Sequence, residues 1–248
     1  MKLSFQLYSA RNFTPWADII ARLGALGYES AEGFGPLYED PAATRAALDA
    51  AGLTMPTLHV SLDMAEGDTD ALVALARTLG ATAVYVPWIA PEARPTDAAG
   101  WAALADRLAA CHARITAHGL TFGWHNHDFE FFPLPDGQIP MEILLTRAPQ
   151  IDWEADLAWI VRGKADPLDW ITRHGARITA AHFKDIAPAG EKTDEDGWAD
   201  PGTGTVDWAA LHRALKTQTR CAVLVAEHDN PSSFDRFATQ AVATYRSF

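Results

Sequence analysis

The chain has 248 residues, 48% hydrophobic and 21% charged, with a formal net charge of −12 when its nine histidines are neutral. That balance belongs to an ordinary soluble globular protein, and the length permits one or two domains or a single closed α/β barrel of about 250 residues. An acidic surface repels phosphate backbones and anionic lipid, which argues against nucleic acid and membranes as partners. Cys111 and Cys221 are far apart, and they fit reduced thiols of a cytoplasmic protein better than a disulfide framework. The opening MKLSFQLYSA lacks the apolar core of a signal peptide, and no window approaches the ~18 apolar residues of a membrane span. The expected location is the cytoplasm.

Strand-like runs alternate with helical ones along the whole chain. LSFQLYS precedes a helix over 16–26, YESAEGF one over 42–51, and LTMPTLHV one over 69–79. AVYVPWI leads to 96–118, LTFGWHNH to 141–148, and IDWEADLAW to 167–174. ITAAHFKD is followed by 206–217, and CAVLVAEHD by 233–245. Ala- and Leu-rich periodicity marks the helices, and Gly27, Gly52, Gly80, Gly119 and Gly175 stand where left-handed C-caps are expected. Eight strands and eight helices in βα order predict a parallel sheet, most simply a single (β/α)8 TIM barrel over residues 1–248, with an open doubly wound sheet as the runner-up. No linker or composition shift divides the chain. The segment 187–208, rich in Asp, Glu and Gly, has the length of a lid or binding loop. Its GTG lacks the setting and full spacing of a dinucleotide site.

Each strand run starts apolar and ends ionisable. Residues two apart share a face, so Val223, Val225 and Glu227 point one way, with Asp229 beyond, as do Ile178, Ala180, His182 and Lys184. The third run ends near His59, the fifth at His125 and His127 with Glu130 just after, and the sixth at Asp156. In a parallel barrel all C-terminal strand ends meet at one mouth, where active sites lie. Glu130, Asp156 and Glu227 gathered there would repel, and taking each from water costs several kcal/mol. Lys184 can neutralise one of them. A divalent cation held by carboxylate and imidazole solves the problem, with Mn²⁺ first and Mg²⁺, Co²⁺ or Zn²⁺ as alternatives.

Blander roles are assigned elsewhere. His112, His118, His174 and His212 fall on helices or their ends as solvated residues, and His228 has the opposite parity to Glu227. Trp88, Trp124 and Trp159 suit either a sugar pocket or core packing. Lys184 and Asp185 suit a simple ion pair, and Glu32 either a substrate contact or a loop anchor.

The stretches GWHNHDFEF, EADLAWIVRGKADPLDWI, AHFKDI, EDGWADPGTGTVDW and VAEHDNP, with SAEGFGPL and GLTMPTLHVSLD matching more loosely, resemble the xylose-isomerase-like TIM-barrel family of sugar (phosphate) isomerases and epimerases. That family also contains inosose dehydratases and, more distantly, endonuclease IV. The resemblance extends over nearly the whole chain. It implies metal ligands at Asp156, His182 and Glu227. The family's strand-five glutamate is replaced in Gly123-Trp124-His125, so His125 is the preferred fourth ligand, with Glu130 and His127 as alternatives. The family's epimerases pair two glutamates across the substrate carbon; Glu227 fills one place and Glu130 is the candidate for the other, with Lys184 as the third residue assigned to catalysis. His59, His127, Glu32, Trp124 and Asn126 complete the expected substrate pocket.

The expected activity is a metal-dependent sugar or keto-sugar isomerase or epimerase working by proton abstraction beside a carbonyl through an enediolate. A dehydratase on the same scaffold and a non-catalytic sugar-binding barrel are the alternatives. A metal-dependent phosphodiesterase would need more ligands and a basic groove, which the charge of −12 opposes. The expected partner is a small sugar or keto-sugar; a homo-oligomer is left open.

Overall fold

In the computed structural model, which describes residues 1–248, eight parallel strands close into a barrel. They are β1 (Lys2–Gln6), β2 (Ser30–Gly33), β3 (Thr54–His59), β4 (Ala83–Val86), β5 (Thr121–His125), β6 (Asp152–Asp156), β7 (Ile178–Phe183) and β10 (Val223–Ala226). Each pairs with its neighbour in sequence, and β10 closes the ring on β1 with Lys2 opposite Val223 and Phe5 opposite Ala226. The short strands β8 (Asp185–Ile186) and β9 (Trp198–Ala199) form a separate antiparallel pair above the barrel.

Helices α1 (Trp16–Leu26), α4 (Thr69–Leu79) and α8 (Pro167–His174) have the bounds the periodicity predicts. Their ends are chemically marked. Gly27 and Gly80 take left-handed conformations that close α1 and α4, and the Asp166 side chain accepts the Leu168 N–H at the start of α8. Gly175 departs from expectation: its φ is −53°, because the chain runs on into a 3-10 turn, Gly175–Arg177. Two further helices were not anticipated, α3 (Leu62–Glu66) and α7 (Leu157–Arg162). The sixth strand therefore stops at Asp156, whose side chain caps α7 by accepting the Trp159 N–H at 2.8 Å. No helix is long and apolar enough to cross a membrane.

Strand alternation divides the buried side chains into two layers. Outward-facing residues such as Phe5, Phe122, Trp124 and Leu224 join one large core between sheet and helices. The barrel interior holds a second group: Ala83, Tyr85, Ala180, Val223 and Val225. Above this small plug the inward positions of β1, β2, β3, β5, β6 and β7 are polar or charged. Gly123 lies at the level of Tyr85 and Asp152, where a Cβ would meet the Asp152 carbonyl oxygen at 2.2 Å and the Tyr85 ring at 3.0 Å. Close approach of β5 and β6 thus requires glycine there.

Candidate active site at the barrel mouth

Above the apolar plug, the strands project Gln6 from β1, Glu32 from β2, His59 from β3, His125 from β5, Glu154 and Asp156 from β6, and His182 from β7. Lys184 follows β7 and Glu227 follows β10. Glu32, Glu154, Asp156, His182 and Lys184 are fully buried, and Glu227 is 6% exposed. A cavity of about 690 Å³ opens over them, and His59, His125, His127, Glu227 and Asp229 contribute to its wall.

The polar groups fall into two contiguous sets. In the outer one, the Lys184 ammonium lies 2.6 Å from Asp229 Oδ1, 3.0 Å from Glu227 Oε2 and 3.7 Å from Asp156 Oδ2. It also sits over the rings of Trp198 and Trp159, at 4.3 and 4.8 Å from their centroids. His182 Nδ1 is 2.9 Å from Glu227 Oε2 and 4.0 Å from Asp156 Oδ2. In the inner set, three imidazoles crowd Glu154 Oε2: His59 Nε2 is hydrogen-bonded to it at 2.5 Å, and His125 Nδ1 and His182 Nε2 lie 3.3 and 3.5 Å away. Glu32 Oε1 lies 2.8 Å from His182 Nε2 and 3.2 Å from His59 Nε2, and accepts from Gln6 Nε2 at 2.7 Å. His182 joins the two sets, one ring nitrogen in each.

Charge explains the titration behaviour. Burial alone would raise the Glu227 carboxyl, but Lys184 and His182 beside it hold it well below the usual carboxylate range. Asp156 lies farther from Lys184; burial dominates and lifts it to about 6. Burial alone would lower His182, and the surrounding glutamates reverse this, raising it well above the ordinary imidazole value. At His125 the Glu154 carboxylate does not offset burial and the nearby His182, which press it down to about 3.

Several residues lie elsewhere than the sequence suggests. Glu130 does not face the cavity. Its carboxylate accepts the Trp124 indole N–H at 3.0 Å and the His127 backbone N–H at 3.0 Å, and burial raises it to about 8. Trp124 points outward from β5 into the core under the helices, so it is no part of the pocket. Asn126 braces β6 instead of lining a pocket: its oxygen accepts from Trp153 Nε1 and the Asp156 N–H, and its amide donates to the Asp156 carbonyl. His125 sits with His59 and Glu154, apart from the Asp156, His182 and Glu227 set. His127 and His59 reach the cavity wall, and Glu32 lies beneath it. Asp185 makes no pair with Lys184; it accepts the backbone N–H groups of Ile186, Gly202, Gly204 and Val206.

That last contact organises the segment after β7. Asp185 pins its C-terminal half, Arg236 holds Asp200 and Glu195, and the Arg162 guanidinium donates to the Asp196 carbonyl. Trp198 is buried at 1% exposure against Trp159. The segment expected to act as a lid is thus tied down at several points, and it brings Asp196 to the cavity. His228 is fully buried behind the site, its backbone N–H donating to Ser9 Oγ. Glu154 is the main functional candidate that sequence reasoning missed. The signal was present, because Glu154 shares the face of Asp156 two residues on.

The outer and inner sets each could hold a cation. Asp156, His182 and Glu227 offer ligand atoms within 4.8 Å of one another, as do His59, His125, Glu154 and His182. Asp156 Oδ2, Glu154 Oε1, Glu32 Oε2 and His125 Nδ1 are buried without any hydrogen-bond partner, a costly condition that a bound cation relieves.

Solved structures share this architecture. A sugar phosphate isomerase/epimerase from Parabacteroides distasonis ATCC 8503 superimposes with a TM-score of 0.83 at 17% identity, covering 99% of this chain and 94% of that one. The IOLI protein with a bound zinc atom gives 0.78 at 16% identity, covering 100% and 96%. The probable 3-DHS dehydratase AsbF from Bacillus anthracis gives 0.77 at 15% identity, covering 99% of each chain. At such identities the likeness establishes the fold. No curated protein sequence matches the chain at a significant level. The model of the xylose isomerase-like TIM barrel matches residues 20–246, and with the closed eight-stranded sheet this places the chain in the xylose isomerase-like TIM-barrel family.

Proposed function

We propose that the protein is a metal-dependent isomerase or epimerase of a sugar or keto-sugar, acting by proton abstraction beside a carbonyl through an enediolate. The observation that carries this reading is Glu227: a carboxylate at the cavity wall, held ionised by Lys184 at 3.0 Å, beside the unpartnered Oδ2 of Asp156. Asp156, Glu227 and His182 Nδ1 form a mixed carboxylate and imidazole donor set that suits Mn²⁺, with Mg²⁺, Co²⁺ and Zn²⁺ as alternatives. The ion would supply Lewis-acid polarisation of the substrate carbonyl. Sugar-processing neighbours and the zinc-bearing IOLI protein support the assignment.

The chain's own groups then divide the work. Glu227 takes the proton from the carbon next to the carbonyl, a contribution of roughly 10²–10⁴-fold for a positioned general base. Lys184, fully enclosed, does not reach the substrate; it fixes the Glu227 and Asp229 carboxylates and keeps Glu227 charged. With Glu130 turned away, the second proton carrier falls to His127, which faces the cavity from the end of β5 with Nδ1 unpartnered. Return of the proton to the other face gives epimerisation, and to the neighbouring carbon, isomerisation. Loss of a β-hydroxyl instead would make a dehydratase, the second reading, favoured by the likeness to AsbF.

The test is turnover in D₂O over ketoses, inososes and 3-keto-sugars, followed by NMR. Wild-type protein should place deuterium on a carbon beside the carbonyl, and Glu227→Gln should lose at least about 10² in that exchange. Turnover without solvent deuterium would indicate hydride shift and refute the enediolate. A new alkene signal would select the dehydratase.

A further inference from the structure

We propose that the inner set is itself a metal site: a Zn²⁺ ion held by His59 Nε2, His125 Nδ1, His182 Nε2 and Glu154. It shares His182 with the Asp156, His182 and Glu227 set: ligation through Nε2 is the alternative to ligation through Nδ1, and it leaves Asp156 and Glu227 as the outer set's donors.

Geometry comes first. Four ligands at 2.0–2.1 Å around a tetrahedral ion are about 3.3 Å from one another. His125 Nδ1 and His182 Nε2 stand 3.3 and 3.5 Å from Glu154 Oε2, close to that spacing, and all four ligand atoms lie within 4.8 Å of one another; His59 Nε2, at 2.5 Å in a hydrogen bond, has to draw back to admit the ion. The rings are stacked or tilted around this point, His59 parallel to His182 within 3° and His125 centred 4.3 Å from His182. Three histidines from three different strands aim one nitrogen each at the same place.

Hydrogen bonding alone does not account for the arrangement. His59 and His182 already contend for Glu154 and Glu32, and His125 Nδ1 is buried without a partner. Of the five carboxylates, Asp156, Glu227 and Asp229 have Lys184 beside them and Arg162 nearby, whereas Glu32 and Glu154 pair only with imidazoles. A dication in the inner set supplies the missing positive charge where two of them, Glu32 and Glu154, are fully buried. Three imidazoles and one carboxylate in a closed shell suit Zn²⁺, whereas the carboxylate-rich outer set suits a harder ion.

The surroundings also fit. With Nε2 on the ion, His182 carries its proton on Nδ1 and donates to Glu227 at 2.9 Å, the carboxylate brace typical of metal-bound histidine. Glu32, 2.8 Å from His182 Nε2, stands ready as a further oxygen ligand. Two hydrogen bonds must change: His59 would hold its proton on Nδ1, so the Gln6 amide gives up its 3.2 Å contact there, and His182 Nε2 exchanges its hydrogen bond to Glu32 Oε1 for the ion.

The decisive measurement is X-ray absorption on the wild-type protein loaded with one equivalent of Zn²⁺ after chelator treatment. Scattering from three imidazoles is expected; a single imidazole would put the ion on the outer set and overturn the proposal. Competition with a chromophoric chelator gives the affinity. His59→Ala and Glu154→Gln should each weaken Zn²⁺ by roughly 100-fold, one ligand's share of a four-ligand site, while Asp156→Asn should leave it within a few-fold. The reverse pattern, or no Zn²⁺ binding at micromolar concentration, would refute the site. Co²⁺ loaded in place of zinc should show the strong visible absorption of a four-coordinate ion, lost in His59→Ala. Proton exchange into substrate by the wild type, measured separately, reports on Glu227 and can fail without touching this result.

Discussion

Replacing Lys184 by Met keeps the volume of the side chain and removes its charge. The ammonium is fully buried, with Asp229 at 2.6 Å, Glu227 at 3.0 Å and Asp156 at 3.7 Å, so the substitution strands three carboxylates, Asp156 fully buried and Glu227 and Asp229 at the cavity wall. Removing one partner of a buried ion pair costs about 3–5 kcal/mol, and a domain of this size loses about 2–4 °C per kcal/mol. Chelator-treated Lys184→Met should therefore melt roughly 6–20 °C below wild type at pH 8. The pH dependence follows from the partners. Glu227 is held well below its ordinary value chiefly by Lys184 acting against burial, so its stabilisation is present above the unfolded carboxylate range and lost as pH falls through the folded value. Without Lys184 that depression disappears, and the stranded carboxylates take up protons as pH falls. The gap in melting temperature should accordingly shrink between pH 8 and pH 5. Added Mn²⁺ should also shrink it, by replacing the lost positive charge. Melts followed by circular dichroism in both buffers decide the matter. Equal melting temperatures at pH 8, or a gap that does not change with pH, would show that Lys184 does not hold these carboxylates ionised.

Glu130→Gln should leave substrate deuterium exchange within about twofold of wild type, because its carboxylate is spent on Trp124 and His127 away from the cavity. Burial raises this carboxyl from 4.5 to about 8, so its contribution to stability, full below pH 4.5, is lost as pH rises through 8. The Gln variant, which cannot ionise, should gain on wild type across that window, and a constant difference in thermal melts would contradict the assignment. Gly123→Ala should cost about 1–3 kcal/mol from the clash with the Asp152 carbonyl, while Gly35→Ala, with nothing within 4 Å, should not; indistinguishable melts would refute the close approach. Asp185→Asn removes the charge that collects four backbone N–H groups, and hydrogen exchange should accelerate at Gly202, Gly204 and Val206. Unchanged protection there would mean that the segment after β7 is held by its other anchors.

The helices and the barrel were legible because their signals are local. Asp166 with Pro167 opens α8 and left-handed Gly80 closes α4 within a few residues of the pattern they bound. Strand alternation likewise told that His125 faces the axis, and the same parity turns Trp124 outward into the core, against its expected place in the pocket. The convergence of His59, Asp156, His182 and Glu227 at one mouth followed from parallel order alone, since all strand ends must meet there. Which of these groups touch one another was decided only by the tertiary structure. His125 turns to Glu154 and His59, not to Asp156 and Glu227, because neighbours around a closed sheet are set by register and tilt, which no single strand encodes. Glu130 lies beyond the end of β5, where period-two alternation no longer applies, and its direction was set by the indole and backbone N–H groups waiting for it. Asp185 was free of Lys184 for a similar reason: the loop that follows it returns with three N–H donors, at Gly202, Gly204 and Val206, a contact that the residues next to Asp185 do not encode.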